Sequence, residues 1–158
     1  TGVRRLIYAS TNQVVFGYRD YEPYRTHFGG SPEESLSVPI LPIRHDQPTL
    51  PVNLYGCSKI FGESVASLYA RRHGMSVLCL RIGWVTRDNV AGFPSLFCSR
   101  RDVVQAILRA IDAPDDLRFD VFFVHSDNRP NFADIEHTRE VLGYQPQDRG
   151  EDFPPLKR

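Results

Sequence analysis

The feature that most restricts how this chain can fold is the repeated alternation of short, mainly apolar runs with longer segments whose apolar residues recur at helical spacing. Arg4 to Ser10, Ser76 to Ile82 and Phe119 to Val124 are the short runs. A strand solvated on one face alternates apolar with polar residues, whereas a near-continuous apolar run suits a strand covered on both faces, as in a parallel sheet. Leu54 to His73 carries a helical stripe of Ile60, Phe61, Val65, Leu68 and Tyr69, and Gly74 is placed to end it. A second helix is expected after Ser99, which precedes Asp102 at N-cap spacing, and it runs through Val103, Val104, Ile107, Leu108 and Ile111 towards Pro114. A third is expected from about Ala133 to Leu142, closed by Gly143. Strand and helix alternating in this way predict an α/β fold with a parallel sheet and flanking helices. Ligands of such sheets sit beyond the carboxyl ends of the strands, here Ser10-Thr11-Asn12, Gly83-Trp84 and His125-Ser126-Asp127.

The length fits a single domain over residues 1–158. Residues 18–53, rich in Pro, Gly, Ser and Tyr and without a sustained period, are expected as a long loop excursion serving as a lid or binding surface. Lysine plus arginine balance aspartate plus glutamate at 19 each, so no net field favours a polyanion and no nucleic-acid partner is expected. No apolar stretch approaches the roughly 20 residues that span a bilayer, so no membrane partner is expected either. Cys57, Cys79 and Cys98 have no C-x-x-C spacing and read as reduced thiols in a cytoplasmic setting. The five histidines show no H-x-x-x-H pattern, and no metal site is expected.

Chemistry concentrates on Tyr55 and Lys59, four apart at the start of the long helix and therefore on one face. A free phenol is a poor base at neutral pH, and a neighbouring ammonium favours its phenolate form. The pair can thus take a proton from a substrate hydroxyl while hydride leaves the same carbon. Lysine is scarce, at positions 59 and 157 alone, which gives its placement weight. The plainer reading is a solvated helix face. Thr11, at the tip of the first strand, offers a hydroxyl that could donate to a substrate oxygen, against ordinary strand-end turn chemistry as the alternative. Asn12 and Gln13 are adjacent polar groups suited to recognising sugar hydroxyls.

Three segments, Ala9-Ser10-Thr11-Asn12-Gln13-Val14-Val15, Leu54-Tyr55-Gly56-Cys57-Ser58-Lys59-Ile60-Phe61-Gly62-Glu63 and Leu80-Arg81-Ile82-Gly83, resemble the extended short-chain dehydrogenase/reductases, the NAD-dependent epimerase/dehydratase family. Ser99-Arg100-Arg101-Asp102, Ser126-Asp127-Asn128 and Leu142-Gly143-Tyr144-Gln145-Pro146-Gln147-Asp148 further resemble the C-terminal signature of its uronate dehydrogenase-like members. The resemblance implies the C-terminal, catalytic part of a Rossmann-like parallel sheet. It implies Tyr55 as acid/base, Lys59 as the residue that tunes it and binds the nicotinamide ribose, and Thr11 as the third catalytic hydroxyl. Ser10, Ile82 and Gly83 join Tyr55 and Lys59 on the cofactor side, while Thr11, Asn12, Gln13, Tyr55 and Trp84 face the substrate. The implied cofactor is NAD, with NADP open, and the implied substrate a sugar or sugar acid. The helix bearing Tyr55 and Lys59 is the implied homodimer surface. Gln13 stands where uronate dehydrogenases carry histidine, and Trp84 where they carry a small hydroxylated residue, so a reshaped pocket is expected. Arg87 is the basic residue on the following loop.

No glycine-rich turn follows a strand to cradle a pyrophosphate, so the resemblance begins partway through the family fold and the remaining half is expected upstream or in a partner chain. Besides an NAD-dependent sugar dehydrogenase, two readings stay open at this level: a truncated, non-catalytic remnant that binds a partner or ligand, and a nucleotide-sugar epimerase or dehydratase using the same tyrosine and lysine.

Overall fold

The computed structural model describes residues 2–30, 34, 37–86 and 93–154. In chain order the elements are β1 (Arg5–Thr11), α1 (Tyr24–Gly29), α2 (Leu54–His73), β2 (Ser76–Ile82), α3 (Arg100–Ile111), β3 (Phe119–Val124) and α4 (Glu136–Leu142), with single 3-10 turns between them. The three strands form a parallel sheet in the order β1-β2-β3, with Leu6 opposite Val77 and Leu78 opposite Asp120.

β2 is buried from Ser76 to Arg81 because helices cover both of its faces. Val77 and Cys79 pack with Ala66 and Ala70 of α2, and Leu78 and Leu80 pack with Ala106 and Ala110 of α3. Alanine at the helix contacts lets the backbones approach closely, and the uninterrupted apolar reading of β2 is the sequence trace of this sandwich. Both long helices begin where expected. Asn53 Oδ1 accepts from Gly56 N–H at 2.8 Å to cap α2, and Ser99 Oγ accepts from Asp102 N–H at 3.2 Å to cap α3. Gly74, at φ 65°, ends α2 in the left-handed region that suits glycine. Ile60 packs against the core, whereas Phe61 and Leu68 remain on the exposed side of α2. Among the described residues no helix is long and apolar enough to cross a membrane.

Two segments differ from the sequence reading. Residues 18–53 contain α1 and the end of a 3-10 turn, Phe16–Asp20, and they enclose a core of their own. Phe28 meets Phe16 and Phe132 edge-on at 5.3 and 5.4 Å between ring centroids, and Ile40 and Ile43 are buried beside them. Six residues make fewer than two helical turns, too few to register a period, so α1 leaves no pattern in the sequence. The last helix begins at Glu136 and not near Ala133, because Ala133 forms a bridge with Ile43 and the Asp134 N–H donates to Ile43 O at 2.9 Å. That pairing keeps Ala133 and Asp134 bonded to Ile43 and out of the helix.

The three C-terminal motif segments converge on one buried carboxylate. Asp102 is fully buried; its Oδ2 accepts from Ser126 Oγ at 2.6 Å and its Oδ1 from Gln147 N–H at 2.8 Å. Asp127 N–H donates to Asp148 O at 2.8 Å, and Asp148 pairs with Arg101. The network locks the chain after β3 and after α4 onto the start of α3.

A second buried charge sits between β2 and α2. Arg81 Nε and Nη2 donate to Glu63 Oε1 and Oε2 at 2.9 and 2.8 Å, Ser10 Oγ donates to Glu63 Oε1 at 2.6 Å, and Arg81 Nη1 reaches His45 O at 3.2 Å. Removing the carboxylate strands a guanidinium that is 4% exposed. Glu63→Ala should therefore destabilise the fold by roughly 3–5 kcal/mol in urea unfolding, with Glu63→Gln costing less because it keeps a hydrogen-bonding partner for Arg81.

Candidate active site

The carboxyl end of β1, the turn that follows it and the first turn of α2 form one assembly. Thr11 is the last residue of β1 and caps the 3-10 turn Asn12–Val14, its Oγ1 accepting from Gln13 N–H at 3.3 Å. With that acceptor position engaged, the Thr11 hydroxyl proton is left to point elsewhere. Asn53 joins the turn to the helix: while its Oδ1 caps α2, its Nδ2 donates to Gln13 Oε1 at 3.2 Å. Asn53 is absent from the expected site residues, although an Asn just before a helical stripe is a visible N-cap signal. Gly56 permits the close approach, since a Cβ there would lie 2.8 Å from Gln13 O and 3.0 Å from Pro51 Cβ.

Lys59 Nζ donates to Ala9 O at 2.8 Å and stands 5.5 Å from the centroid of the Tyr55 ring and 5.2 Å from that of Tyr8. An ammonium at this range is attracted to the ring faces and held at the strand end. Tyr55 itself is 53% exposed at the mouth of the sheet.

Beside this assembly opens a cavity of about 380 Å³. Thr11 at the end of β1 and Asn12 and Gln13 in the turn after it line one side, and Gly83 and Trp84, just past β2, line another; Arg19 is the charged residue among the described lining. The Arg19 guanidinium lies 4.8 Å over the Phe16 ring, and Phe28 and Phe93 complete an aromatic wall. Trp84 is fixed on both sides, its backbone N–H donating to Leu96 O at 2.6 Å and its carbonyl accepting from Cys98 N–H at 2.9 Å. Gly83 has no space for a side chain, since a Cβ would meet Leu96 O at 2.5 Å and His125 Cδ2 at 2.8 Å.

The structure therefore gathers Thr11, Asn12, Gln13, Gly83 and Trp84 on one cavity, with Tyr55 and Lys59 outside its wall. Ser10 and Ile82 lie elsewhere. Ser10 is 4% exposed and turned to Glu63 under α2, and Ile82 packs against the core beneath α3. Neighbouring strand residues point to opposite faces, which separates Ser10 from Thr11. Arg87 lies outside the described residues.

His125, behind Gly83, is fully buried. Asn131 Nδ2 donates to Ser126 O at 2.9 Å, which turns Asn131 Oδ1 towards His125 Nδ1 at 2.9 Å and makes that nitrogen the N–H donor. Burial pushes the His125 pKa down from 6.5 to about 4, against the opposing hydrogen bond to Asn131.

No protein-family model matches the chain. It is 31% identical to an L-arabinose 1-dehydrogenase (NAD(P)(+)) of Haloferax volcanii over 92% of this chain and 59% of that protein. It is 32% identical to a uronate dehydrogenase of Pseudomonas putida over 96% of this chain and 49% of that protein. The crystal structure of a glucuronic acid dehydrogenase from Chromohalobacter salexigens superposes with a TM-score of 0.74 at 31% identity, over 96% of this chain and 49% of that one. A UDP-galactose 4-epimerase, at 18% identity and a TM-score of 0.68, shares the fold. The chain spans about half the length of the curated relatives it matches.

Gly56→Ala should lower stability by about 1–3 kcal/mol in thermal unfolding, because the groups it meets include backbone that cannot swing aside. A pH dependence follows from His125. Between pH 6.5 and about 4 the folded state, with His125 neutral, binds fewer protons than the unfolded state. Stability from this group is complete above pH 6.5 and falls as pH drops through that window, by up to about 1.4 kcal/mol per pH unit. His45, also lowered by burial, acts in the same direction, so the comparison that isolates His125 is the pH slope of urea stability with and without His125→Gln.

Proposed function

The chain is a homologue of the uronate dehydrogenases and related NAD-dependent sugar dehydrogenases, within the extended short-chain dehydrogenase/reductases, and from that premise we propose that it forms the substrate and nicotinamide side of an NAD-dependent sugar or sugar-acid dehydrogenase. The observation that carries the reading is the meeting of Thr11, Asn12 and Gln13 with the first turn of α2, which brings the Thr11 hydroxyl, a cavity and the Tyr55–Lys59 pair to one end of the sheet.

Tyr55 takes the proton of the substrate hydroxyl. Thr11 donates to the same oxygen as it becomes a carbonyl, since its own acceptor position is already engaged by Gln13 N–H. Lys59, with one of three N–H donors on Ala9 O, keeps cationic charge beside the phenol and has donors left for a ribose. NAD, when bound, supplies the hydride acceptor. The described residues fit the reacting end of that cofactor, whereas Gly29 and Gly30 close α1 and form no pyrophosphate cradle after a strand.

Arg19 supports a sugar acid over a neutral sugar, as a guanidinium on the cavity wall can pair with a carboxylate. Asn12 and Gln13 supply hydroxyl recognition, and the Trp84 ring offers an apolar face for the sugar. Pairing of two copies over the exposed Phe61 and Leu68 face of α2 belongs to the same reading.

The test is hydride transfer by the protein with NAD and a panel of uronates and aldoses. Tyr55→Phe should lower turnover by about 10²–10⁴-fold, and Arg19→Gln should raise KM for uronates while leaving that for neutral aldoses unchanged. Unchanged turnover in Tyr55→Phe would remove the catalytic assignment. Absence of NAD binding in calorimetry would favour a ligand-binding remnant.

A further inference from the structure

A cluster outside the cavity lining joins three residues that the proposed reaction does not use. His45 comes from the excursion before α2, Asp120 from the early part of β3, and His137 from the first turn of α4. One ligand atom from each lies within 4.8 Å of the other two. We propose that His45, Asp120 and His137 form a binding site for a divalent first-row transition cation of the zinc class, which cross-links the excursion to the sheet and to α4.

Two of the three ligand atoms already stand at the spacing an ion requires. Asp120 Oδ2 and His137 Nε2 are 3.0 Å apart, near the roughly 3.3 Å that separates two ligands of a tetrahedral ion with bonds of about 2.0–2.1 Å. The His45 ring stacks on that of His137 at 3.6 Å and 10°, so the two rings lie in nearly parallel planes and His45 has to turn out of the stack to share an ion with His137. That turn brings in the third ligand, whose nitrogen already lies within 4.8 Å of the other two ligand atoms. Asp120 Oδ1 is held by Val121 N–H at 2.7 Å, so the carboxylate presents its other oxygen, and Arg81 grips the His45 carbonyl at 3.2 Å. These are the outer-shell supports that fix metal ligands in orientation.

Two imidazoles and one carboxylate suit zinc-like ions better than calcium or magnesium, which take oxygen ligands. His137 and Asp120 side chains are 22% and 23% exposed, so water can reach a fourth position. A hydrogen-bonded His137–Asp120 pair without an ion accounts for those two residues but gives the stacked His45 ring no role.

The test uses the chelator-stripped protein, titrated with zinc chloride by calorimetry and with cobalt chloride by visible absorption. One ion per chain, the d–d bands of four-coordinate cobalt and a rise in Tm with zinc are expected. His45→Gln and Asp120→Asn should each weaken binding by about tenfold or more. Both substitutions are mild: the first leaves the backbone carbonyl at position 45 bound by Arg81, and the second keeps a side-chain oxygen that can accept from Val121 N–H. No binding at millimolar metal would overturn the proposal. So would an affinity unchanged in both variants, which would assign the ion to exposed groups such as Cys57 or His73.

Discussion

The Arg81–Glu63 pair is the interaction on which the rest of the structure turns. A guanidinium and a carboxylate taken out of water cost several kcal/mol each unless their remaining hydrogen-bonding positions are filled. Here both Glu63 oxygens are used by Arg81, Ser10 adds a third bond, the His45 carbonyl accepts from the far side, and the cation lies 5.4 Å from the centre of the Phe123 ring. All three strands, α2 and the excursion therefore share one polar node. Apolar residues of the same volume would bury as much area, but they would leave the rotation of α2 about its axis less constrained.

That rotation positions the chemistry. Tyr55, Lys59 and Glu63 are spaced four apart, so they share a helix face that continues into Ala66 and Ala70 against β2. Once Glu63 is held by Arg81, Lys59 one turn earlier meets the end of β1 at Ala9, and Tyr55 a further turn earlier stands at the mouth. The packing of Gly56 on Gln13 fixes the same helix along its axis. Orientation comes from a buried charge and translation from a missing Cβ, both outside the reacting groups.

This division explains what can be read from the sequence. β2, α2 and α3 declare themselves because burial on both faces, a helical stripe, an Asn or Ser cap and Gly74 are local patterns. Thr11, Gly83 and Trp84 are legible as strand ends. Strand alternation separates Ser10 from Thr11, but the bond from Ser10 to Glu63 spans 53 residues and leaves no local pattern. The Asp102, Ser126 and Asp148 segments are recognisable as motifs, but their role as a buried lock depends on contacts across more than twenty residues. His45, Asp120 and His137 escape any spacing rule for the same reason: each comes from a different element, and only the folded chain brings them together.

The excursion, residues 18–53, links the two ends of the sheet. Near its start, Arg19 and Phe28 line the cavity at the carboxyl ends of the strands, and further on His45 reaches Asp120, four residues back along β3 from Val124. Between them Ile40, Ile43 and Phe28 are packed with Phe132 and Phe16 into one core, and close-packed interiors transmit displacement in place of absorbing it. A cation that shortens the distance from His45 to β3 therefore acts on the same cluster that supports the aromatic wall of the cavity. The wall is held by the sheet through Trp84 and by the packing of Phe28 on Phe16 and Phe132, so the shape of the cavity depends on the core behind its lining.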